Sequence, residues 1–218
     1  MTMKRLVFLV EGDTEAILIN KLVIPYLYSL GFTNVMNTQK IVTNAKLNKK
    51  GGNVSFQYLE NDIKRITAQG DVIVTTFLDF FRLPVDFPGY TNDASRIDFI
   101  EEETQAVLSK YGAVYPYIQK YEMEALMFAS MDGFDLIVDD EKAKEELRVI
   151  VDSFDPEEIN GGRDTAPSKR LGNCFNYDKV ADGEIILEMI GLEKIRERCF
   201  RFNQWINKIE KLLKDSHR

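Results

Sequence analysis

The chain has 218 residues, 44% of them hydrophobic and 29% charged, with a formal net charge of −7. This is an ordinary globular composition with enough chain to bury a sizeable core, and the negative charge disfavours coating nucleic acid by bulk electrostatics. The one histidine, His217, is next to last, which argues against His triads, Cys–His dyads and His-built zinc sites and leaves carboxylates, Lys, Ser, Tyr or a hard, oxygen-held ion such as magnesium or manganese.

The chain opens MTMKRLVFLVEG, where two basic residues precede a short apolar run that meets Glu11. The run is too short for a signal h-region or a membrane span, so a cytoplasmic protein without membrane contact is expected. Leu6 to Val10 reads as a strand. In LVEGDTEAILI that strand ends in Glu11, Gly12 follows, and Glu15 arrives four residues later. Acids there complement a helix macrodipole, with Asp13 or Thr14 available as cap. They also suit a metal site at the carboxyl end of a parallel strand, where open α/β sheets bind ligands.

Thr14 to Leu30 reads as a helix stopped by Gly31 and broken or kinked near Pro25. Val35 to Thr43 suits a second strand, and NAKLNKKGGN is a polar, basic loop. Ser55 to Gln69 places Leu59, Ile63 and Ile66 on one helical face before Gly70. Asp71 to Leu78, DVIVTTFL, is a β-branched run with the character of a buried strand. FRLPVDFPGYTND is a loop, Ser95 to Tyr111 a helix closed by Gly112, Ala113 to Gln119 a further strand, and Tyr121 to Ser130 helical in composition.

Strands separated by helices of this length imply right-handed crossovers and a mainly parallel sheet of four or more strands with helices on both faces. The expected class is α/β: a core over residues 1–130 and a mainly helical extension over 131–218 packed on it. The extension carries an irregular segment, FDPEEINGGRDTAPSKRLGNCFNYDK. Cys174 and Cys199 lack ligand-like spacing and read as reduced thiols. Residues 192–218 hold eight Lys or Arg against four acids, a net of +4 that leaves −11 elsewhere; a solvated helix face is the simplest use of such a tail.

Asp79 repeats the arrangement of Glu11, since TTFLDFF ends an apolar strand in a carboxylate. In a parallel sheet both acids emerge at one edge, Glu15 leans back over it, and YEMEALMF adds Glu122 and Glu124 after a further strand. Like charges packed together need a cation to offset their repulsion. In GGRDTAPSKR, Gly161 and Gly162 allow close backbone approach, Pro167 fits the first turn of a helix whose N-terminus can bind an anion, and Ser168, Lys169 and Arg170 supply donors. An ordinary structured loop fits the same residues. Neither GxxxxGK[ST] nor GxGxxG occurs.

EGDTE after the first strand and an Asp ending a later strand resemble the Toprim fold of topoisomerases, primases and OLD-family nucleases. VEGDTE, LDFFRLP…FPG, YEMEALMF and PEEIN…DTAPSKRL together are similar to an uncharacterised prokaryotic Toprim-like family over about residues 5–180. That resemblance implies genes beside ATPases and a role in phage defence. It matches Glu11 to the Toprim glutamate, Glu15 to the second acid of the nuclease branch, and Asp79 to the first Asp of the DxD motif. It also matches Lys169 to a basic residue facing phosphate charge. DFF departs from DxD, so Phe81 stands where a second acid would be, unless Glu122 or Glu124 compensates.

The resulting expectation is a magnesium- or manganese-dependent nuclease acting on DNA or RNA. Glu11, Asp79 and Glu15 hold the metal, Glu122 or Glu124 holds a second ion or serves as general base, and Lys169 faces the phosphate. Its partners are nucleic acid and an ATPase protein, with a homodimer left open. The alternative is a non-catalytic accessory subunit of an ATPase system on a Toprim scaffold, and a third reading is a structural protein whose acids are solvated.

Overall fold

The computed structural model describes residues 4–44, 49–51, 54–159, 162 and 164–216. Strand β1 (Arg5–Val10) leads into α1 (Asp13–Leu18), a π-helical turn (Ile19–Val23) and α2 (Ile24–Ser29). The break expected near Pro25 is this π turn. Pro25 has no N–H to give the preceding turn, and Ile24 N–H donates to Ile19 O, five residues back. Next come β2 (Met36–Lys40), a small antiparallel pair β3 (Val42–Asn44) and β4 (Lys49–Lys50), α3 (Phe56–Thr67) and β5 (Val72–Asp79).

After a long loop come α4 (Ile97–Leu108), β6 (Ala113–Tyr115) and β7 (Ile118–Gln119). The single strand expected over 113–119 is split where Pro116 lacks a ladder donor. The segment expected to be helical after Tyr121 is a 3₁₀ helix, Met123–Ala129, with every residue buried. Burial on all sides leaves no amphipathic stripe from which the helix type could be read. The rest is helical: α5 (Asp132–Ile137), α6 (Glu141–Ser153), α7 (Pro167–Cys174), α8 (Ala181–Arg198) and α9 (Phe200–Ser216). Gly191 breaks α8 with φ of 73°.

The five-stranded sheet runs β2-β1-β5-β6, with β7 also on β5, and each of these pairings is parallel. Alternation along the strands sorts two cores. Leu6, Phe8, Val10, Ile73 and Phe77 face the helices α1, α2 and α5–α9. Val7, Leu9, Val74 and Leu78 face α3 and α4. The first core contains Phe8 and Phe77 together with Phe134, Leu187 and Phe202, so residues before and after 130 share one interior. Helix α9 docks through Trp205, whose Nε1 donates to Thr75 Oγ1 at 2.9 Å while its ring stacks on Tyr117 at 4.7 Å. That bond satisfies a buried indole which would otherwise cost about 1–3 kcal/mol. Cys174 and Cys199 are free thiols. Among the described residues no helix is long and apolar enough to cross a membrane.

Candidate functional site

Glu11 follows the last residue of β1, and register pairs Val10 with Phe77, so Glu11 and Asp79 leave the sheet at the same carboxyl edge. Gly12 is the N-cap of α1 but offers no side-chain bond. Neither Asp13 nor Thr14 caps the helix: Asp13 accepts from Lys40 Nζ at 2.6 Å, and Thr14 Oγ1 donates to Lys179 O at 3.2 Å. A Cβ on Gly12 would lie 2.6 Å from Glu15 Oε2, so Glu15 folds back over the strand end against bare backbone. Gly51 approaches from the other side with φ of +75°, where a Cβ would meet Glu11 O at 2.4 Å. Only glycine fits there without a backbone shift.

At the end of β5, Asp79 Oδ1 accepts from Met123 N–H at 2.9 Å, which ties the strand end to the 3₁₀ helix. The chain then bends sharply. Phe81 N–H donates to Tyr121 O at 2.7 Å, and both Arg82 (φ 66°) and Tyr121 (φ 64°) are left-handed. Left-handed backbone costs side chains with a Cβ about 1–2 kcal/mol per residue, and such strain gathers at functional sites.

Glu122 and Glu124 divide their work. Glu122 accepts from Ser168 N–H at 2.9 Å and from Ser168 Oγ at 3.0 Å. The helix N-terminus that the sequence offers to an anion therefore already holds one, the protein's own carboxylate. It anchors the first turn of α7 and so fixes Lys169 at the cleft rim. Lys169 is exposed and, among the described residues, forms no ion pair. Gly162 lies near this turn, with Ala166 N–H donating to Gly162 O at 2.9 Å; Gly161 lies outside the described residues.

Glu124 is fully buried, and Lys179 Nζ reaches its Oε1 at 2.9 Å, an ion pair rather than a well-aligned hydrogen bond. Among the described residues Glu15 Oε2 and Glu124 Oε2 meet no donor. Burial, then the charges of Glu124 and Glu11, push Glu15 up from 4.5 to about 7 against the pull of Lys179. Burial raises Glu11 as well. Asp79 lies well above its ordinary range because of burial and the charges of Glu15 and Glu124. Burial opposes the charge on Lys179, yet Glu124, Glu15 and Asp79 together hold its ammonium protonated beyond the usual lysine range.

Glu11, Asp79, Glu122, Ser168, Lys169 and Lys179 line one cleft of about 390 Å³. Glu15 and Glu124 do not line the cleft but are buried and act electrostatically on Asp79, which does. All six sequence-derived residues therefore belong to one neighbourhood. Lys179 is the residue that sequence reasoning missed. Its only local signal is a lysine just before the acidic first turn of α8, which holds Asp182 and Glu184.

The donor set is all oxygen, and unpartnered buried carboxylate oxygens suit a hard divalent ion. Among the described residues, however, no three of these acids already stand in ligand geometry. Lys179 supplies the balancing charge, so holding a divalent ion requires the ammonium to withdraw and the carboxylates to close in.

The profile of a family described as "Domain of unknown function (DUF4276)" matches residues 10–210, and the chain belongs to that family. The chain is similar to the solved C-terminal region of the Burkholderia pseudomallei OLD protein, at 16% identity and a TM-score of 0.49. That match covers 96% of this chain and 100% of the other. No curated protein matches the chain.

Proposed function

We propose that this member of the DUF4276 family is a Toprim-like nuclease, hydrolysing phosphodiester bonds of DNA or RNA with magnesium or manganese. One observation carries the reading. Four acids, Glu11, Glu15, Asp79 and Glu124, meet at the carboxyl edge of a parallel sheet with buried carboxylate oxygens lacking donors, beneath a cleft rimmed by Lys169 and Lys179. Burying that much like charge is costly unless a cation or a chemical task offsets it.

In this reading Glu11, Asp79 and Glu15 hold the ion, with Glu124 as a fourth donor once Lys179 withdraws. A bound divalent ion would supply stabilisation of the charge that develops on the scissile phosphate. Without an ion, burial and neighbouring acids hold the Glu15 carboxyl up at about 7, and a bound cation would favour its charged form. Glu122 acts as a positioning residue that holds Ser168 and aims Lys169 at the phosphate. An ATPase partner and a role in phage defence, both implied by the sequence resemblance, belong to the same proposal.

A second reading, an accessory subunit without catalysis, is favoured by Phe81 in place of a second DxD acid and by the absence of ready ligand geometry among the described residues. Manganese-dependent cleavage of labelled DNA and RNA, wild type against Asp79→Asn, separates the two. The nuclease reading expects cleavage that the substitution abolishes. Cleavage unchanged by Asp79→Asn refutes the site, and wild type inert on every strand favours the accessory subunit.

A further inference from the structure

The wall formed by Phe81, Arg82 and Leu83 borders two clefts. Beside the acid cleft, it borders a second cleft of about 610 Å³, well within the size of small-ligand sites. Its surface carries the rings of Phe81, Tyr90 and Tyr121 and the cations Arg82 and Lys120, together with two acids, Glu158 and Asp93, whose Oδ1 accepts from Ser95 N–H and Oγ.

The Arg82 guanidinium lies 5.1 Å from the centre of the Phe81 ring, and Lys120 Nζ lies 5.7 Å from that of Tyr121. Glu158 answers the charge of Lys120 at 2.5 Å. Arg82 has no ion-pair partner among the described residues. The left-handed Arg82 and Tyr121 are joined through the bond from Phe81 N–H to Tyr121 O, which fixes the rings relative to the wall.

The exposed Tyr90 ring and the partly exposed rings of Phe81 and Tyr121, beside a guanidinium without an ion-pair partner among the described residues, fit a flat ring that carries negative charge close by. An unpaired nucleobase with its phosphate has both, because every base presents a π-face and stacking tolerates any sequence. The shared wall makes this cleft a neighbour of the acid cleft. We propose that it is a subsite for an unpaired base adjacent to the phosphodiester held in the acid cleft, which makes single-stranded nucleic acid the substrate class. The proposal rests on the nuclease reading for the position of that phosphodiester.

The test measures binding, by fluorescence anisotropy in calcium to hold off cleavage. Its probes are labelled ten-nucleotide oligothymidine, oligouridine, an abasic strand of equal length and a duplex. The base-bearing single strands are expected to bind about tenfold more tightly than the abasic strand and the duplex. Tyr90→Ala and Tyr121→Leu should each erase that advantage while leaving abasic binding unchanged. Tyr90 is 38% exposed, so its truncation keeps the test decisive if Tyr121→Leu fails to fold. The better-bound of the two base-bearing strands identifies DNA or RNA as the source. Equal binding of base-bearing and abasic strands, or variants that weaken both alike, overturns the subsite. Cleavage that still depends on manganese and Asp79 alongside that result leaves the nuclease reading intact. Base-dependent binding by a wild type that cleaves no strand supports the subsite and refutes the nuclease reading.

Discussion

Glu15→Gln isolates the electrostatic cost of the acid cluster. Glu15 is 2% exposed, and its carboxyl is raised from 4.5 to about 7. A raised acid binds more protons folded than unfolded, so between those two values stability falls as pH rises, and above about 7 the full cost applies. At about 1.36 kcal/mol per pH unit of displacement, that cost is about 3 kcal/mol. Gln keeps the shape and removes the charge that Glu124 and Asp79 oppose. Without metal, wild type and Glu15→Gln should therefore have similar stability at pH 5. By pH 8 the variant should be more stable by about 3 kcal/mol, or roughly 6–12 °C in melting temperature for a chain of this size. Thermal unfolding in EDTA at pH 5, 6, 7 and 8 reads this directly. Manganese at pH 8 should raise the melting temperature of wild type more than that of the variant, because the ion offsets a charge the variant lacks. Parallel pH–stability curves for the two proteins would refute the reasoning.

Gly51→Ala forces a Cβ towards Glu11 O at a left-handed φ. It should cost about 2 kcal/mol or more in urea unfolding and weaken manganese binding measured by calorimetry. Asp79→Asn should abolish cleavage without loss of metal-free stability, since Asn Oδ1 still accepts from Met123 N–H; destabilisation with activity intact would mark Asp79 as structural. Lys179→Met leaves Glu124 buried without its partner. It should cost about 1–3 kcal/mol at pH 8, as followed by chemical denaturation, the half-exposed ammonium placing it below a fully buried pair. Lys169→Ala should slow cleavage of a labelled strand while the calorimetric affinity for manganese stays unchanged.

Much of the architecture was legible because its causes are local. DVIVTTFL is β-branched from Val72 to Thr76, and the strand it forms is buried on both faces. Leu59, Ile63 and Ile66 recur at helical spacing behind the Ser55 cap, whose Oγ accepts from Tyr58 N–H at 3.3 Å. Parallel pairing then follows from strands joined through helices, and with it the shared edge for Glu11 and Asp79. Sequence alone thus determined the α/β class and the acids at the strand ends.

Tertiary structure decided what depends on encounters between distant residues. Lys179 meets Glu124 across 55 positions of sequence, and no local pattern marks a lysine in a polar turn as the counter-charge of a buried acid. Glu122 lines the cleft and accepts both bonds from Ser168, 46 residues away, a contact that no local pattern marks. The fully buried 3₁₀ turn carries no periodicity to read. Periodicity records which side of an element meets water. Charge balance and hydrogen-bond satisfaction are settled only when the chain closes on itself, because Coulomb energy and desolvation depend on distance through space and not along the chain.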